Sequence, residues 1–187
     1  MIDVRLEKVQ DLREYATIPI VFESRSSFDV VRNGSKLELV EQVLATPFHK
    51  DYDEIEDPLV WAREFDTSNW IQISAFSGQD RIGGAICATD TPGTDLLEGR
   101  RDLAVVWDLR VAPQRRRKAV ASALFVVLVR SARENGCREL KVDTQNTNVP
   151  ACRFYAAAGL ILSEANFGVY QQFPNEVQLI WRKRIDG

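Results

Sequence analysis

The sequence is poor in the residues that build metal centres and disulfide frameworks, with one histidine and three cysteines among 187 residues. Cys87, Cys137 and Cys152 are an odd number at wide spacing and include no Cys-x-x-Cys pair. This pattern argues against both a zinc site and a secreted disulfide framework. Because His49 is the only histidine and Gly-x-Ser-x-Gly is absent, a serine-hydrolase triad has little support, and we expect His49 to be a solvated loop residue.

Long hydrophobic runs and a strong excess of one charge are also missing. No segment approaches the roughly 18 apolar residues of a membrane helix, and no signal peptide is recognisable, so we expect a cytoplasmic protein that binds no membrane. The 24 basic and 27 acidic residues give a formal charge of -3, which disfavours nucleic acid as a partner and requires any cationic site to be local. Walker A and Gly-x-Gly-x-x-Gly loops are absent, which disfavours nucleoside triphosphates and nicotinamide nucleotides.

What the chain does contain is the composition of a folded domain, with 45% hydrophobic and 27% charged residues. A chain of this length buries roughly 70% of the surface of its unfolded form, so its core needs no disulfide or metal. We predict a single domain over residues 1–187. Its class is mixed α/β, with antiparallel strands first and a strand, helix, strand, helix, strand run behind them.

Alternation, turn residues and helix stop signals predict the order of the elements. The predicted order is a strand over 1–8, a helix interrupted at Pro19 within 10–35, a strand over 36–45, a helix from 57 to 65, a hairpin of strands 70–76 and 82–89, a strand over 102–111, a buried helix over 118–135, a strand over 139–144, a short helix over 150–158, and closing strands over 160–170 and 176–184. The strand over 102–111 is predicted to place Leu103, Val105, Trp107, Leu109 and Val111 on one face and to end before Pro113.

Four consecutive cations stand where this strand turns into the buried helix. The first-turn amides of a helix are unpaired and carry partial positive charge, so an anion can bind there. Small residues at 119, 121 and 123 would let a phosphate approach closely. We therefore predict a phosphate-binding loop, with a solvated turn or nonspecific basic patch as the alternative. The segment reads Gln114-Arg115-Arg116-Arg117-Lys118-Ala119-Val120-Ala121-Ser122.

Two motifs resemble those of the GCN5-related N-acetyltransferase (GNAT) superfamily. The residues from Arg116 to Ala121 match the Gln/Arg-x-x-Gly-x-Gly/Ala turn that binds the pyrophosphate of acetyl-coenzyme A in that family, with Ala119 at a usual glycine position. We expect this methyl group to be tolerated, because a first-turn position does not require a positive φ. The residues from Asn148 to Gly159 match the family's Asn-x-x-Ala-x-x-x-Tyr-x-x-x-Gly helix. Within that superfamily, the chain most resembles the streptothricin acetyltransferases. The segments that carry this resemblance are Lys50-Asp51-Tyr52-Asp53, Asn69-Trp70, Leu140-Lys141-Val142, Thr144-Gln145-Asn146 and the residues from Asn148 to Tyr155.

The resemblance implies a fold, a cosubstrate and an activity. The implied fold is a GNAT-like, mostly antiparallel central sheet flanked by helices and splayed between the strand ending at Pro113 and the strand near 139–144. The implied activity is direct transfer of acetyl from acetyl-CoA, without a metal, to a primary amine of a small cationic molecule, with streptothricin-type antibiotics as the leading class. Alternatives are acetylation of a protein N-terminus or lysine, and a non-catalytic CoA-binding regulatory module. The implied cofactor-binding residues are Leu109, Arg110 and Val111 through their backbone, Arg116, Arg117, Lys118, Ala119, Val120, Ala121, Ser122, Asn148, Ala151 and Tyr155.

The resemblance assigns Tyr155 as the general acid that protonates the departing thiolate. The amine must also lose a proton before attack, and Asp108 is the preferred base because it lies beside the implied thioester site. The alternative for Asp108 is a structural pair with Arg110 on the same strand face. Glu176 and Asp143 are weaker candidates for the base.

The acceptor is expected to meet a negatively charged segment, because residues 51–57 hold five carboxylates. This segment would attract a cationic amine, or alternatively its acids only suit a helix N-terminus. The predicted acceptor-binding residues are Asp51, Asp53, Trp107, Asp108 and Glu176. We expect the other tryptophans to lie in the core. Whether the chain forms a homodimer is left open.

Overall fold

The computed structural model describes residues 1–9 and 12–186. The strands are β1 (Asp3–Glu7), β2 (Val21–Asn33), β3 (Lys36–Asp51), β4 (Ile71–Ser77), β5 (Asp80–Thr89), β6 (Leu103–Val111), β7 (Glu139–Gln145), β8 (Ile161–Phe167) and β9 (Val177–Arg184). The α-helices are α1 (Arg13–Ala16), α2 (Trp61–Glu64), α3 (Val120–Glu134) and α4 (Val149–Ala157), and short 3₁₀ turns lie at Pro58–Val60, Thr67–Asn69, Asp95–Leu97 and Pro113–Arg115.

The chain divides into two compact units. The first comprises Met1–Ile20, Asp51–Leu140 and Arg184–Gly187, and the second comprises Val21–Lys50 and Lys141–Lys183. The assignment of residues 1–187 to a single domain stays a prediction.

The first unit is built on the antiparallel strands β1, β4, β5 and β6, adjacent in that order. A two-residue turn joins β4 to β5, with Ser77 paired to Asp80. Gly78 supplies the positive φ, +65°, at the first position of this turn, as tight hairpins require. The turn therefore fixes the register of the hairpin.

Helix α3 packs against the first unit's sheet through one apolar face. Leu124 and Leu128 are fully buried on that face. The helix ends where Gly136 adopts φ +83° and donates to the Arg133 carbonyl at 2.9 Å, a common glycine stop. A Cβ at Gly83 of β5 would come within 2.8 Å of Val120, so this glycine lets the first turn of α3 lie close to the sheet.

The second unit contains β7, β9 and β8 in that order, with β8 antiparallel to β9, and the two-stranded ribbon β2–β3. Its α4 begins at Asn148, whose side chain accepts a hydrogen bond from the Ala151 amide at 3.2 Å. The ribbon is tied to Asn146, which exchanges backbone and side-chain hydrogen bonds with Phe28 at 2.9 Å.

Most of the predicted elements are confirmed, as is the mixed α/β class with a mostly antiparallel central sheet flanked by helices. The helix predicted within 10–35 is wrong beyond α1, because Val21–Asn33 is a strand. Phe22, Ser24 and Phe28 are its buried residues, a pattern closer to the two-residue repeat of a strand than to a helical one. Residues 10 and 11 of that segment lie outside the described residues. The predicted splay of the sheet stays a prediction.

Among the described residues, no helix is long and apolar enough to span a bilayer. The same residues contain no group of three or more histidine, cysteine, aspartate or glutamate side chains arranged to hold a metal ion.

Candidate active site

A β-bulge at Trp107 determines which side chains of β6 face the candidate site. Strand β5 pairs with Val106 and next with Asp108, so Trp107 is an extra residue without a partner on β5. An extra residue reverses the alternation of faces beyond it. Asp108 and Arg110 consequently lie on the face of the sheet that contacts Tyr15.

The bulge corrects the prediction that five alternate residues of this strand share one face. Leu103, Val105 and Trp107 do pack with one cluster of the core. The prediction is wrong for Leu109 and Val111, because the phase changes at Trp107 and Val111 pairs with Gly83, which faces α3.

Tyr15, Asp108, Arg110 and Asp53 form a hydrogen-bonded network with a buried centre. Arg110 donates from Nε to Asp108 Oδ1 at 2.9 Å and from Nη2 to Asp108 Oδ2 at 2.7 Å, which is a bidentate ion pair. Its Nη1 donates to the Ile18 carbonyl at 2.8 Å and to Asp53 Oδ1 at 3.1 Å. The Tyr15 hydroxyl donates to Asp108 Oδ1.

Burial, followed by the charge of Asp108, raises the pKa of Tyr15 well above its ordinary value. Burial alone would lower the pKa of Arg110, but hydrogen bonds and charge from Asp108 raise it overall. At neutral pH, Tyr15 is therefore a neutral donor and Arg110 a cation. Both oxygens of Asp108 are occupied. Its role as a base stays a prediction, and these contacts favour the alternative of a structural pair with Arg110.

Two adjacent glycines of β5 make room on opposite faces of the sheet. A Cβ at Gly84 would come within 2.4 Å of Cε2 of Tyr15, so only glycine lets the Tyr15 ring lie against β5 where its hydroxyl reaches Asp108. Gly83 serves α3 on the other face, as described above. The Gly83-Gly84 pair is the sequence signal for this network, and sequence reasoning missed it.

The carboxylates of the acidic segment 51–57 have different hydrogen-bond partners. Asp53 accepts from Arg110 and, through Oδ2, from the Ile20 amide at 3.1 Å, whereas Asp51 accepts from the Asp53 amide at 3.0 Å. Asp57 caps the following turn by accepting from the Leu59 amide at 2.9 Å. The expected helix-capping role is thus confirmed for Asp57, and Asp51 and Asp53 as acceptor-binding residues stay predictions.

Glu56 belongs to the same segment but was not singled out by the sequence. Its Oε1 accepts from the Trp61 indole N–H at 2.5 Å. Partial burial of the carboxylate raises the pKa of Glu56; hydrogen bonds from Trp61 and, more weakly, Trp107 oppose this, while the charges of Asp108 and Glu64 raise it further.

Three of the four tryptophans lie in the core, as expected. Trp61, Trp70 and Trp181 are buried. Trp107 is half-buried and packs against Trp70 and Phe65, with ring centres 5.0 and 5.1 Å away. Trp107 as part of the acceptor site stays a prediction.

The basic loop leads into an N-terminus of α3 that no side chain caps. The first helical hydrogen bond is donated by the Ala123 amide to the Ala119 carbonyl at 3.0 Å, which leaves the amides of residues 120–122 without helical acceptors. Arg116 donates to the Val111 carbonyl at 3.2 Å. Within residues 1–9 and 12–186, no carboxylate forms an ion pair with Arg117 or Lys118, and both are exposed. The loop therefore fits the pyrophosphate of acetyl-CoA, and its individual contacts stay predictions.

Ala119 corrects a second expectation from the sequence. This residue adopts φ +60°, and Arg117 in the same loop adopts φ +59°. The supposition that position 119 needs no positive φ is therefore wrong. The turn itself requires the left-handed conformation that glycine adopts without cost.

Tyr155 lies in α4 of the second unit, with a 5% exposed side chain and its ring edge-on to Phe154 at 5.1 Å. Asn148, the N-cap of α4, uses its side-chain oxygen to hold the Ala151 amide. The predicted contacts of these residues with the cosubstrate, and the acid role of Tyr155, stay predictions.

The remaining candidate carboxylates of the second unit are both held by neighbours. Glu176 binds the Lys50 ammonium at 2.6 Å and accepts from the Thr147 hydroxyl at 3.0 Å. Asp143 accepts from Tyr170 at 2.9 Å and from Gln178 at 2.7 Å, and burial raises its pKa. The buried ion pair of Glu176 favours a structural role for this residue. Its role in acceptor binding stays a prediction.

A scan against protein-family models matches residues 37–160 to the acetyltransferase (GNAT) family. That match covers more than half of the chain. The chain belongs to the GNAT family. It is accordingly an acetyl-CoA-dependent N-acetyltransferase, and this prediction from the sequence is confirmed.

Two curated proteins are similar to this GNAT chain in sequence. Streptothricin acetyltransferase A of Bacillus subtilis (strain 168) is 35% identical over 80 residues, which span 42% of this chain and 46% of that protein. Streptothricin acetyltransferase of Escherichia coli is 27% identical over 160 residues, which span 84% of this chain and 82% of that protein.

Solved structures share the fold over nearly the whole chain. A crystal structure of nourseothricin acetyltransferase has a TM-score of 0.76 at 21% identity and covers 99% of both chains. A protein from Bacillus anthracis (strain Ames), named as a streptothricin acetyltransferase and solved with acetyl-CoA, has a TM-score of 0.80 at 20% identity and covers 98% of this chain and 99% of that one. These likenesses confirm the predicted GNAT fold.

A thiol-nucleophile mechanism has no support in this GNAT chain. Cys87, Cys137 and Cys152 are all buried, and burial raises the pKa of Cys152 to about 11. A thiol with that pKa is protonated at neutral pH. His49 is exposed, as expected, but it lies in β3 rather than in a loop.

Proposed function

We propose that this GNAT enzyme transfers acetyl to a primary amine of a small cationic acceptor of the streptothricin type. The observation that carries the proposal is the cluster of acidic side chains around Asp108 of β6. Asp53 and Asp108 both bind the buried cation Arg110, and Glu56 lies near enough to Asp108 for that charge to raise the pKa of Glu56. Such a field attracts a polycationic amine. The names of the Bacillus subtilis and Escherichia coli relatives support the same acceptor class.

Acetyl-CoA supplies the activated acetyl group in this proposal. The amides of Val120, Ala121 and Ser122 and the exposed cations Arg117 and Lys118 bind its pyrophosphate. The backbone of residues 109–111 orients the thioester, which brings the reacting groups together as a single bound pair. The phenol of Tyr155 protonates the departing thiolate. Free phenols have a pKa of about 10 and free thiols of about 8.5, so a phenol holds its proton at neutral pH and can donate it to the thiolate.

A thiol-release assay with acetyl-CoA and a panel of acceptors tests the proposal. The panel holds a streptothricin, a linear polyamine, a neutral monoamine, and peptides with a free N-terminus or lysine. We expect kcat/KM for the streptothricin to exceed that for every peptide by at least about tenfold, because only a compact polycation exploits the local field. Preference for a peptide would support protein acetylation instead. Acetyl-CoA binding by calorimetry without turnover on any amine would support the regulatory module.

A further inference from the structure

The carboxylates of Asp53, Glu56 and Asp108 differ in how many hydrogen bonds and ion pairs they accept. Asp108 accepts two hydrogen bonds from Arg110 and one from Tyr15, and Asp53 accepts from Arg110 and a backbone amide. Glu56 forms no ion pair with any described residue. Its Oε1 accepts from the neutral indole of Trp61, and the neutral indole of Trp107 lowers its pKa more weakly. Glu56 is therefore the carboxylate of the three that no cation among the described residues neutralises.

The local fold places Glu56 where solvent and an incoming molecule can reach it. A turn closes as the Ile55 and Glu56 amides donate to the Tyr52 carbonyl at 3.0 and 2.9 Å. The turn leaves Glu56 exposed while Trp61, which holds its Oε1, is buried. The carboxylate of an exposed residue is thus held at Oε1 by a buried indole.

The surroundings of Glu56 are suited to a cation. The half-buried indole of Trp107, at the bulge of β6, lies on the same side, and aromatic faces attract ammonium groups. The charged groups that face Glu56 are Asp108 of β6 and Glu64 of α2, both negative. The negative charges of Asp108 and Glu64 disfavour the ionised form of Glu56. They therefore favour binding of a proton or an ammonium group at this carboxylate.

We propose that Glu56 binds the ammonium group of the acceptor and takes its proton, with Trp107 as the adjacent aromatic wall. This inference rests on the proposed function and identifies its base. Asp108 then acts as a positioning residue: its ion pair with Arg110 and its bond from Tyr15 hold the bulge that presents Trp107.

The step balances in atoms and charge. The ammonium gives one proton to the Glu56 carboxylate, which releases it to solvent. The freed nitrogen lone pair forms a bond to the thioester carbonyl carbon, and the carbon–sulfur bond breaks with its electron pair on sulfur. The nitrogen loses its second proton, which balances protonation of the thiolate. Each turnover therefore yields the amide, the free thiol and one proton.

The test compares Glu56→Gln with Glu54→Gln in streptothricin acetylation between pH 6 and 10. Glutamine keeps the length of the side chain and an oxygen acceptor for Trp61, but it cannot take a proton. Glu54 is an exposed carboxylate two residues earlier, so its variant removes the same charge from the same segment. We expect kcat/KM at pH 7 to fall at least about 100-fold for Glu56→Gln, the lower end of the usual range for general-base catalysis, and less than threefold for Glu54→Gln.

Two further readouts separate catalysis from a change in structure. Acetyl-CoA affinity measured by calorimetry should change less than twofold in Glu56→Gln. Wild-type kcat/KM should level off above the raised pKa of Glu56, whereas the variant should keep rising toward the pKa of the free amine, about 10.

An equal fall in both variants, an unchanged pH profile, or a joint loss of activity and acetyl-CoA affinity would overturn the assignment. If Glu56→Gln is unstable, Glu56→Ala with added formate replaces it, and restoration of the rate by formate supports the inference while its absence counts against it. Failure of the wild-type enzyme to acetylate streptothricin would instead refute the proposed function.

Discussion

At the scale of single residues, Ala119 is the clearest departure from what the local backbone prefers. Its φ of +60° places an alanine in the left-handed region, which costs a non-glycine residue roughly 1–2 kcal/mol. The sequence identified the position through the family motif. It did not reveal the strain, because the dihedral depends on how the loop closes between β6 and α3.

Ala119→Gly should therefore stabilise the protein by about 1 kcal/mol, because glycine adopts this φ without cost. For a chain of this length, that corresponds to a rise in Tm of roughly 2–4 °C. Ala121→Gly is the matched control, since it lies in the first turn of α3 and should lower Tm by a similar amount. Differential scanning calorimetry measures both, and a fall in Tm for both variants would contradict the prediction.

Tyr155→Phe tests the proposed acid at the same scale. Removal of the hydroxyl should lower kcat by roughly 100-fold, a typical loss for general-acid catalysis, while acetyl-CoA affinity changes less than twofold. Tyr170→Phe removes a hydroxyl of the same unit that binds Asp143 and should leave kcat within threefold. Pre-steady-state thiol release distinguishes the two, and an unchanged kcat in Tyr155→Phe would remove its acid role.

At the scale of elements, the sequence predicts best where one local signal dominates. The β4–β5 hairpin follows from its turn residues, and α3 follows from an apolar run closed by Gly136. Strand β2 was missed because serines and charged residues interrupt its period-two pattern of apolar residues. Its hydrogen-bonded pairing with β3 stabilises the strand, and that pairing is not visible in the sequence of β2 itself. The bulge at Trp107 was missed because it depends on how β6 pairs with β5, which the sequence of β6 alone does not show.

The basic loop before α3 gives an element-scale prediction. The double variant Arg117→Ala/Lys118→Ala should raise the Kd for acetyl-CoA by at least about tenfold, because two exposed cations are removed beside unpaired helix amides. Wild-type affinity should fall with rising ionic strength, and the variant should respond less. Arg130→Ala, farther along α3 and paired with Glu134, is the control. Calorimetry at two salt concentrations measures all three, and equal Kd values would contradict the prediction.

At the scale of the whole molecule, a formal charge of -3 conceals opposed local fields. The first unit carries both the basic loop before α3 and the acidic segment 51–57. Their existence followed from the sequence, because each is a contiguous run. The different contacts of the individual carboxylates could not be predicted from the sequence. They depend on Arg110, Trp61 and Trp107, which come from other parts of the chain.

The ion pair between Lys50 and Glu176 links global stability to a prediction about function. Both side chains are almost fully buried, at 7% and 3% exposure, and the Lys50 ammonium also lies 4.0 Å from the centre of the Phe173 ring. Removing one partner of a buried ion pair takes away the counter-charge of the other and costs roughly 3–5 kcal/mol. Glu176→Ala should therefore lower Tm by about 10 °C.

The double variant Lys50→Met/Glu176→Leu separates the two roles of Glu176. It removes both charges at similar volume, so it should recover most of the stability lost in Glu176→Ala. If Glu176 is structural, kcat/KM for streptothricin should recover together with Tm. If Glu176 binds the acceptor, as the sequence predicted, Tm should recover while kcat/KM stays low. Thermal unfolding and steady-state kinetics on the same three proteins therefore decide between an ion pair that only holds the second unit together and a carboxylate that also contacts substrate.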